Sequence, residues 1–140
     1  MGTERFWRIH WLVAVWHNVI GGLGLVFVGD WLYRWEGLPP PQPGVHYVRW
    51  MLLIFVFGLI YYLVYRDLYN TEKLVIAGIC GKIASATPDV YYLLFKGGVP
   101  KIFWTSVFTD YLFAITFFLF LGFVKAHKPA RAPARDPARR

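Results

Sequence analysis

The apolar residues of the chain fall into four long blocks separated by short polar segments. A helix needs about 20 mostly apolar residues to cross roughly 30 Å of hydrocarbon, and each block approaches that length. None of the blocks alternates apolar and polar residues, which is the pattern of a membrane β-barrel strand. The pattern therefore predicts an all-α protein, an integral membrane antiparallel four-helix bundle with spans at about 9–29, 47–65, 74–96 and 101–124.

The connecting segments contain residues that interrupt helices. Four prolines lie between Leu38 and Gly44, and proline removes a backbone donor and blocks helix formation. Gly97, Gly98 and Pro100 indicate a tight turn, so the third and fourth helices are expected to be neighbours.

Basic residues are distributed unevenly between the two ends of the predicted bundle. Of the 15 lysines and arginines, ten lie on the side of both termini, four lie on the opposite side, and Lys82 lies within a span. Because cytoplasmic loops carry the excess of Lys and Arg, both termini are predicted to lie in the cytoplasm of a bacterial cell, around an inner-membrane domain at 1–124. The Pro-Ala-Arg triplets that follow predict a disordered basic tail at 125–140.

Composition excludes several classes of protein. The chain is 57% hydrophobic and only 16% charged, whereas soluble domains are about 25% charged. The net charge of +7 does not indicate nucleic-acid binding, because no folded basic face with a stacking platform accompanies it. A single cysteine, Cys80, excludes an internal disulfide, and His10 and His17 lie about 10 Å apart along one helix, too far to ligate one metal ion.

Polar residues inside the spans form the candidate site. Gly78, Lys82, Ser85 and Asp89 share one face of the third helix. A charge at mid-membrane costs about 2.5–3.5 kcal/mol on insertion scales, so such residues usually turn inward and pair. We predict a ligand or proton site, with no catalytic residue and no metal, formed by His17, Asn18, Lys82, Ser85, Asp89 and Asp110. The alternative interpretation is structural: a Lys–Asp pair whose hydrogen bonds fix the helix register.

Aromatic residues suggest a second feature. Tyr62, Phe113 and Phe117 are predicted to line a groove against a flat apolar ligand such as a quinone, sterol or carotenoid, or against a partner subunit. The alternative is that these rings serve as packing and lipid-facing surface.

Several short motifs occur in a fixed order over residues 8–124. They are Gly37-Leu38-Pro39-Pro40, Gly58-x-x-Tyr61 followed by Arg66-Asp67, Gly78-x-x-Gly81-Lys82, Gly98-x-Pro100 and Asp110-x-x-Phe113. In this order the chain resembles small bacterial four-helix membrane proteins that are loosely grouped with DoxX-like proteins. The resemblance implies an accessory membrane subunit linked to quinone-dependent oxidoreductases, with Lys82 and Asp110 as its family-like polar positions. It assigns no role to His17, Asn18 or Asp89.

Three functions stay open at this point. The leading hypothesis is a non-enzymatic accessory or assembly subunit that contacts a quinone-like or lipid-like ligand. The alternatives are a small proton-coupled transporter, favoured by charged residues on a proline-containing helix, and a membrane enzyme that uses paired aspartates on an apolar substrate. The expected partners are the lipid bilayer, a membrane protein or second copy of the chain, and an apolar small molecule; the sequence identifies no cofactor.

Overall fold

The computed structural model describes residues 2–128, and in that range the chain is helical with no strand. The all-α prediction is therefore confirmed. The elements are α1 Thr3–Trp35, α2 Gly44–Arg66, α3 Glu72–Tyr91, a π-helical turn Tyr92–Lys96 and α4 Phe103–His127.

Three of these helices are long and apolar enough to cross a membrane, namely α1, α2 and α4. The helix α3 falls outside that group, because Lys82 and Asp89 interrupt its apolar sequence. Three such helices suggest a membrane protein, whereas a fourth span at 74–96 stays a prediction.

Two helices extend beyond the predicted spans. The first turns of α1 are polar and are supported by an ion pair between Glu4 and Arg8, 2.9 Å apart and one turn apart along the helix. The helix α4 continues through His127, three residues into the segment predicted as a tail, and Lys128 donates a 2.8 Å hydrogen bond to Glu72. The remainder of that segment, 129–140, lies outside the described residues.

Apolar side chains cover much of the outer surface of the bundle as well as its core. Large apolar side chains such as Phe27 and Phe118 are 83% and 70% exposed, whereas Asn18, Lys82 and Asp110 are buried. Soluble monomers rarely expose contiguous apolar patches of large area. This surface is suited to contact with hydrocarbon.

Aromatic rings fill one half of the bundle. Trp11 stacks on Phe117 with ring centroids 4.2 Å apart, and Trp7 meets Phe120 edge-on at 5.2 Å. These four residues, from α1 and α4, define what we call the packed half. Their rings occupy the space between the two helices and leave Trp11, Phe117 and Phe120 fully buried.

Contacts at both ends tie the helices together. Near the start of α1, the Arg8 guanidinium donates to the Tyr65 carbonyl oxygen at the last turn of α2, 3.1 Å away. At the opposite end, which we call the loop end, the Glu36 carboxylate accepts hydrogen bonds from the backbone N–H groups of Lys101 (2.7 Å) and Ile102 (3.2 Å). The second contact joins the segment after α1 to the start of α4, where backbone donors lack helical partners.

Candidate functional site

A cavity of about 580 Å³ lies among the four helices, between the packed half and the loop end. We call this part of the molecule the open half. Most of the cavity wall is apolar, and polar groups are confined to a few positions. The lining includes His17, Tyr33, Tyr47, Trp50, Phe57, Cys80, Lys82, Ser85, Asp89, Phe103 and Asp110.

Lys82 is the centre of a buried polar cluster. Its ammonium group donates to the carboxylate Oδ1 of Asp110 at 2.5 Å and to the amide oxygen of Asn18 at 2.8 Å. The Asn18 amide nitrogen in turn donates to the Ile54 carbonyl oxygen at 3.2 Å, so α1, α2, α3 and α4 all contribute. The Phe113 ring lies 5.3 Å from the ammonium nitrogen, within the range of a cation–π contact.

The local sequence explains how the lysine reaches this position. Gly78 lies one turn before Lys82 on the same face of α3, and a Cβ there would lie 2.9 Å from the Tyr61 ring and 3.4 Å from the Phe117 ring. A residue without a side chain therefore lets aromatic rings pack closely beneath the lysine. The ammonium group therefore has apolar rings on one side and points toward Asn18 of α1 and Asp110 of α4.

His17 lies at the edge of the cluster. Its Nε2 atom is 3.8 Å from the Asp110 Oδ1 atom, which is longer than a hydrogen bond, and its side chain is 35% exposed. His17 therefore faces the cavity and adds an ion pair only when the imidazole is protonated.

Asp89 and Ser85 line the cavity on the same face of α3, closer to the loop end. Among residues 2–128, neither the Asp89 carboxylate nor the Ser85 hydroxyl makes a hydrogen bond or ion pair. Asp89 lies seven residues from Lys82, about 10 Å along the helix axis, and the lysine is already held by Asp110. Asp89 therefore lies in the cavity with the other predicted site residues without pairing with Lys82.

The predicted aromatic groove does not form as proposed. Phe113 and Phe117 are buried neighbours with ring centroids 5.7 Å apart. Tyr62, however, is 41% exposed, and its hydroxyl accepts a 3.3 Å hydrogen bond from Arg66 on the surface. The tyrosine that packs on Phe117 is Tyr61, because adjacent residues of a helix point about 100° apart.

Aromatic residues near the loop end were missed as site residues from the sequence. The ring of Tyr33 meets the rings of Tyr47 and Phe103 edge-on, with centroids 6.2 and 6.1 Å apart. All three line the cavity, and the Tyr47 hydroxyl donates to the Leu25 carbonyl oxygen at 3.3 Å. Their only sequence signal is their position near helix ends, which is also typical of an interfacial aromatic belt.

On the side of α2 and α3, the cavity lining includes exposed residues. Leu53 and Cys80 line the cavity and are also exposed. The helices α2 and α3 contact each other over a shorter stretch than α1 with α2 or α3 with α4. The cavity lining is therefore accessible from this side of the bundle, which we call the side opening.

The polar atoms that face the cavity are only partly satisfied by hydrogen bonds within the part of the protein that the structure describes. In the described part of the chain, no three His, Cys, Asp or Glu residues are arranged to hold a metal ion. One ammonium proton of Lys82, the second oxygen of Asp110 and both oxygens of Asp89 have no hydrogen-bond partner among residues 2–128, so these atoms are available to a ligand.

Comparisons with protein-family models, with curated proteins and with solved structures each find no match to the chain.

Proposed function

We propose that the chain is a four-pass protein of a bacterial inner membrane, an antiparallel bundle with both termini in the cytoplasm, that holds an amphipathic small molecule. The observation that carries the ligand proposal is the cavity of about 580 Å³, with apolar walls and the polar cluster of Lys82. Ligand pockets are typically clefts of about 300–1,000 Å³ with apolar walls and a few convergent polar groups.

The contacts of α3 support a fourth span. An unpaired charge inside a membrane is costly, but Lys82 is 4% exposed and its charge is compensated by Asp110. The outward residues of α3 and the π-helical turn, among them Ile76, Ile83 and Leu94, are apolar and exposed. A helix with its charges inside and its apolar residues outside is suited to cross the membrane with the other three.

The ligand that fits this cavity combines an apolar body with a polar head. Quinone-like and lipid-like molecules belong to this class, and a protein that holds one can act as an accessory or assembly subunit of a larger membrane complex. The side opening at Leu53 and Cys80 would admit such a molecule from the bilayer.

A binding experiment can use Cys80 as the reporter, because it is the only cysteine and lines the cavity. The full chain in mild detergent is incubated with a short-chain ubiquinone, and the rate of maleimide modification at Cys80 is followed by mass spectrometry. A bound molecule is expected to slow the modification at saturation.

A matched pair of glycines controls for specificity. A Cβ on Gly21 or Gly24 would meet no atom within 4 Å, but only Gly21 lines the cavity. Gly21→Phe should place a ring inside the cavity and weaken protection by ubiquinone, whereas Gly24→Phe should preserve it. Equal protection in both variants would mean that the probe does not bind in this cavity. If no protection appears, and native mass spectrometry of the purified chain shows no retained lipid or pigment, the ligand proposal is wrong.

One observation favours a second function, a proton-coupled carrier. Asp89 faces the cavity without a partner among residues 2–128, and such intramembrane carboxylates often belong to proton or substrate pathways. Proton-driven flux of a cavity ligand into liposomes should then be lost with Asp89→Asn, and unchanged flux in that variant would remove the carrier hypothesis.

A further inference from the structure

We infer that the molecule held in the cavity is a lipophilic organic cation, with its positive charge beside Asp89 and its apolar body against the ring-lined wall. This inference rests on the proposed function and specifies the chemical class of its ligand.

The charge balance of the cavity is the first argument. Lys82 contributes +1, Asp110 contributes −1 and ionised Asp89 contributes −1, which leaves a net charge of −1 when His17 is neutral. The first two charges neutralise each other at 2.5 Å. No counter-charge faces Asp89 among the described residues, and a carboxylate in apolar surroundings stays ionised at low cost only when it is paired. A cationic ligand supplies the missing partner.

The state of Lys82 disfavours an anionic ligand. Its ammonium group has three protons, of which one is donated to Asp110 and another to Asn18. An anion at the remaining proton would lie beside the Asp110 carboxylate and in the same cavity as Asp89. Repulsion from two carboxylates would therefore oppose attraction to one shared lysine.

The wall around Asp89 provides the second, independent argument. Tyr33, Tyr47, Trp50 and Phe103 line the loop-end part of the cavity. The faces of aromatic rings attract cations, and combinations of rings around quaternary ammonium groups are a recurring recognition mode. A carboxylate and several rings in one cavity provide both charge and apolar contact for an organic cation.

Two ions of the same shape and opposite charge test the inference directly. Tetraphenylphosphonium and tetraphenylborate are titrated into the full chain in mild detergent, and binding is followed by calorimetry and by protection of Cys80 from maleimide. Because both ions also partition into detergent, the measured quantity is the change in each affinity between wild type and variant. We expect Asp89→Asn to weaken phosphonium binding by about tenfold or more, because the variant loses one charge–charge interaction in a cavity that water screens poorly.

Two further variants control for charge and folding. Asp89→Glu keeps the carboxylate and should keep most of the phosphonium affinity, which answers the objection that Asp89→Asn merely misfolds. Asp30→Asn removes an exposed carboxylate of α1 that does not line the cavity, and it should leave the affinity unchanged.

The outcomes separate this inference from the proposed function. Phosphonium affinity that is unchanged by Asp89→Asn, or Cys80 protection by tetraphenylborate but not by the phosphonium, would overturn the cationic ligand. Protection of Cys80 by ubiquinone alone would overturn it as well, while leaving the proposed cavity function intact. Failure of all three probes to protect Cys80 would contradict both.

Discussion

The packed half and the open half belong to one helical bundle but differ in how the space between the helices is filled. In the packed half, rings from α1 and α4 fill the space between the helices, and Trp11, Phe117 and Phe120 are fully buried. In the open half, rings such as Tyr33 and Trp50 stand around a cavity of about 580 Å³. The Lys82 cluster lies at the boundary between the halves.

This difference separates stability from binding. Close-packed aromatic rings stabilise through their large contact area, whereas an open cavity forfeits those contacts along its walls. The Lys82 cluster at the boundary borders the packed half on one side. On its other side, unpaired polar atoms face the cavity. Substitutions in the two halves should consequently lower the free energy of unfolding by different amounts.

The largest loss of stability is expected from Trp11→Ala in the packed half. Removal of a fully buried indole should lower the free energy of unfolding by roughly 3–5 kcal/mol. Phe57→Ala, in the cavity wall of the open half, should cost only about 1 kcal/mol, because the site already has empty space beside it. Unfolding in mixed micelles of mild detergent and dodecyl sulfate, followed by circular dichroism, gives both values; equal losses would contradict the distinction between the halves.

The second largest effect is expected at the boundary. Lys82→Met leaves the Asp110 carboxylate buried without its counter-charge and should destabilise the bundle by about 3 kcal/mol. The double variant Lys82→Met with Asp110→Leu removes both charges and should recover most of that loss. If the double variant is as unstable as the single one, the cost arises from lysine packing and not from the unpaired charge.

An intermediate effect is expected where α1 crosses α2. A Cβ on Gly22 would lie 2.7 Å from both the Met51 carbonyl oxygen and the Phe55 amide nitrogen, which are backbone atoms of α2. Gly22→Ala should therefore push the helices apart and cost about 1–3 kcal/mol. A Cβ on the neighbouring Gly21 would meet no atom within 4 Å. Gly21→Ala is therefore the matched control and should leave the free energy of unfolding unchanged in the same assay.

The smallest effect is expected in the polar connection between α2 and α3. The side-chain amide of Asn70 lowers the pKa of the Asp67 carboxyl, and Lys128 lowers the pKa of Glu72. Since these pKa values are depressed by folding, the stabilisation is present above the unfolded values near 4 and is lost as the pH falls through the folded values. Both groups face solvent, so the loss should be only about 0.5 kcal/mol.

The pH effect is measured as a difference between two chains. Wild type should lose this small increment of stability between pH 6 and pH 3, whereas Asp67→Asn with Glu72→Gln should lack that part of the pH dependence. A wild type and a double variant with parallel pH profiles would show that these contacts contribute nothing in solution.

The sequence predicts the helices well because long apolar blocks have few alternatives. It also places Lys82, Asn18 and Asp110 together, since buried charges on separate helices must find partners. The predicted start of α1 is less accurate, because the polar first turns of the helix are supported by an ion pair between Glu4 and Arg8. A hydropathy pattern does not detect such a pair.

Two details of the site depend on three-dimensional arrangement and not on pattern. The helix α2 is apolar on all sides, so nothing in its sequence indicates whether Tyr61 or Tyr62 points inward. The spacing of Lys82 and Asp89 places both residues on one face of α3, but it does not show that the ammonium group is held by Asp110 and Asn18. Three-dimensional packing decides which partner each charged group finds, and the spacing of residues along the sequence does not reveal it.

The three rings at the loop end bear on the route by which a bound molecule enters and leaves the cavity. Tyr33 contacts both Tyr47 and Phe103, so rings from α1, α2 and α4 meet at the loop end, while Leu53 and Cys80 mark the side opening. In the proposed four-pass orientation, the loop end faces water and the side opening faces the bilayer. A ligand would then be recruited from molecules already dissolved among the acyl chains. Occupancy should follow the amount of ligand per lipid, and dilution of the sample with buffer at constant lipid-to-protein ratio should leave it nearly unchanged for a strongly partitioning molecule.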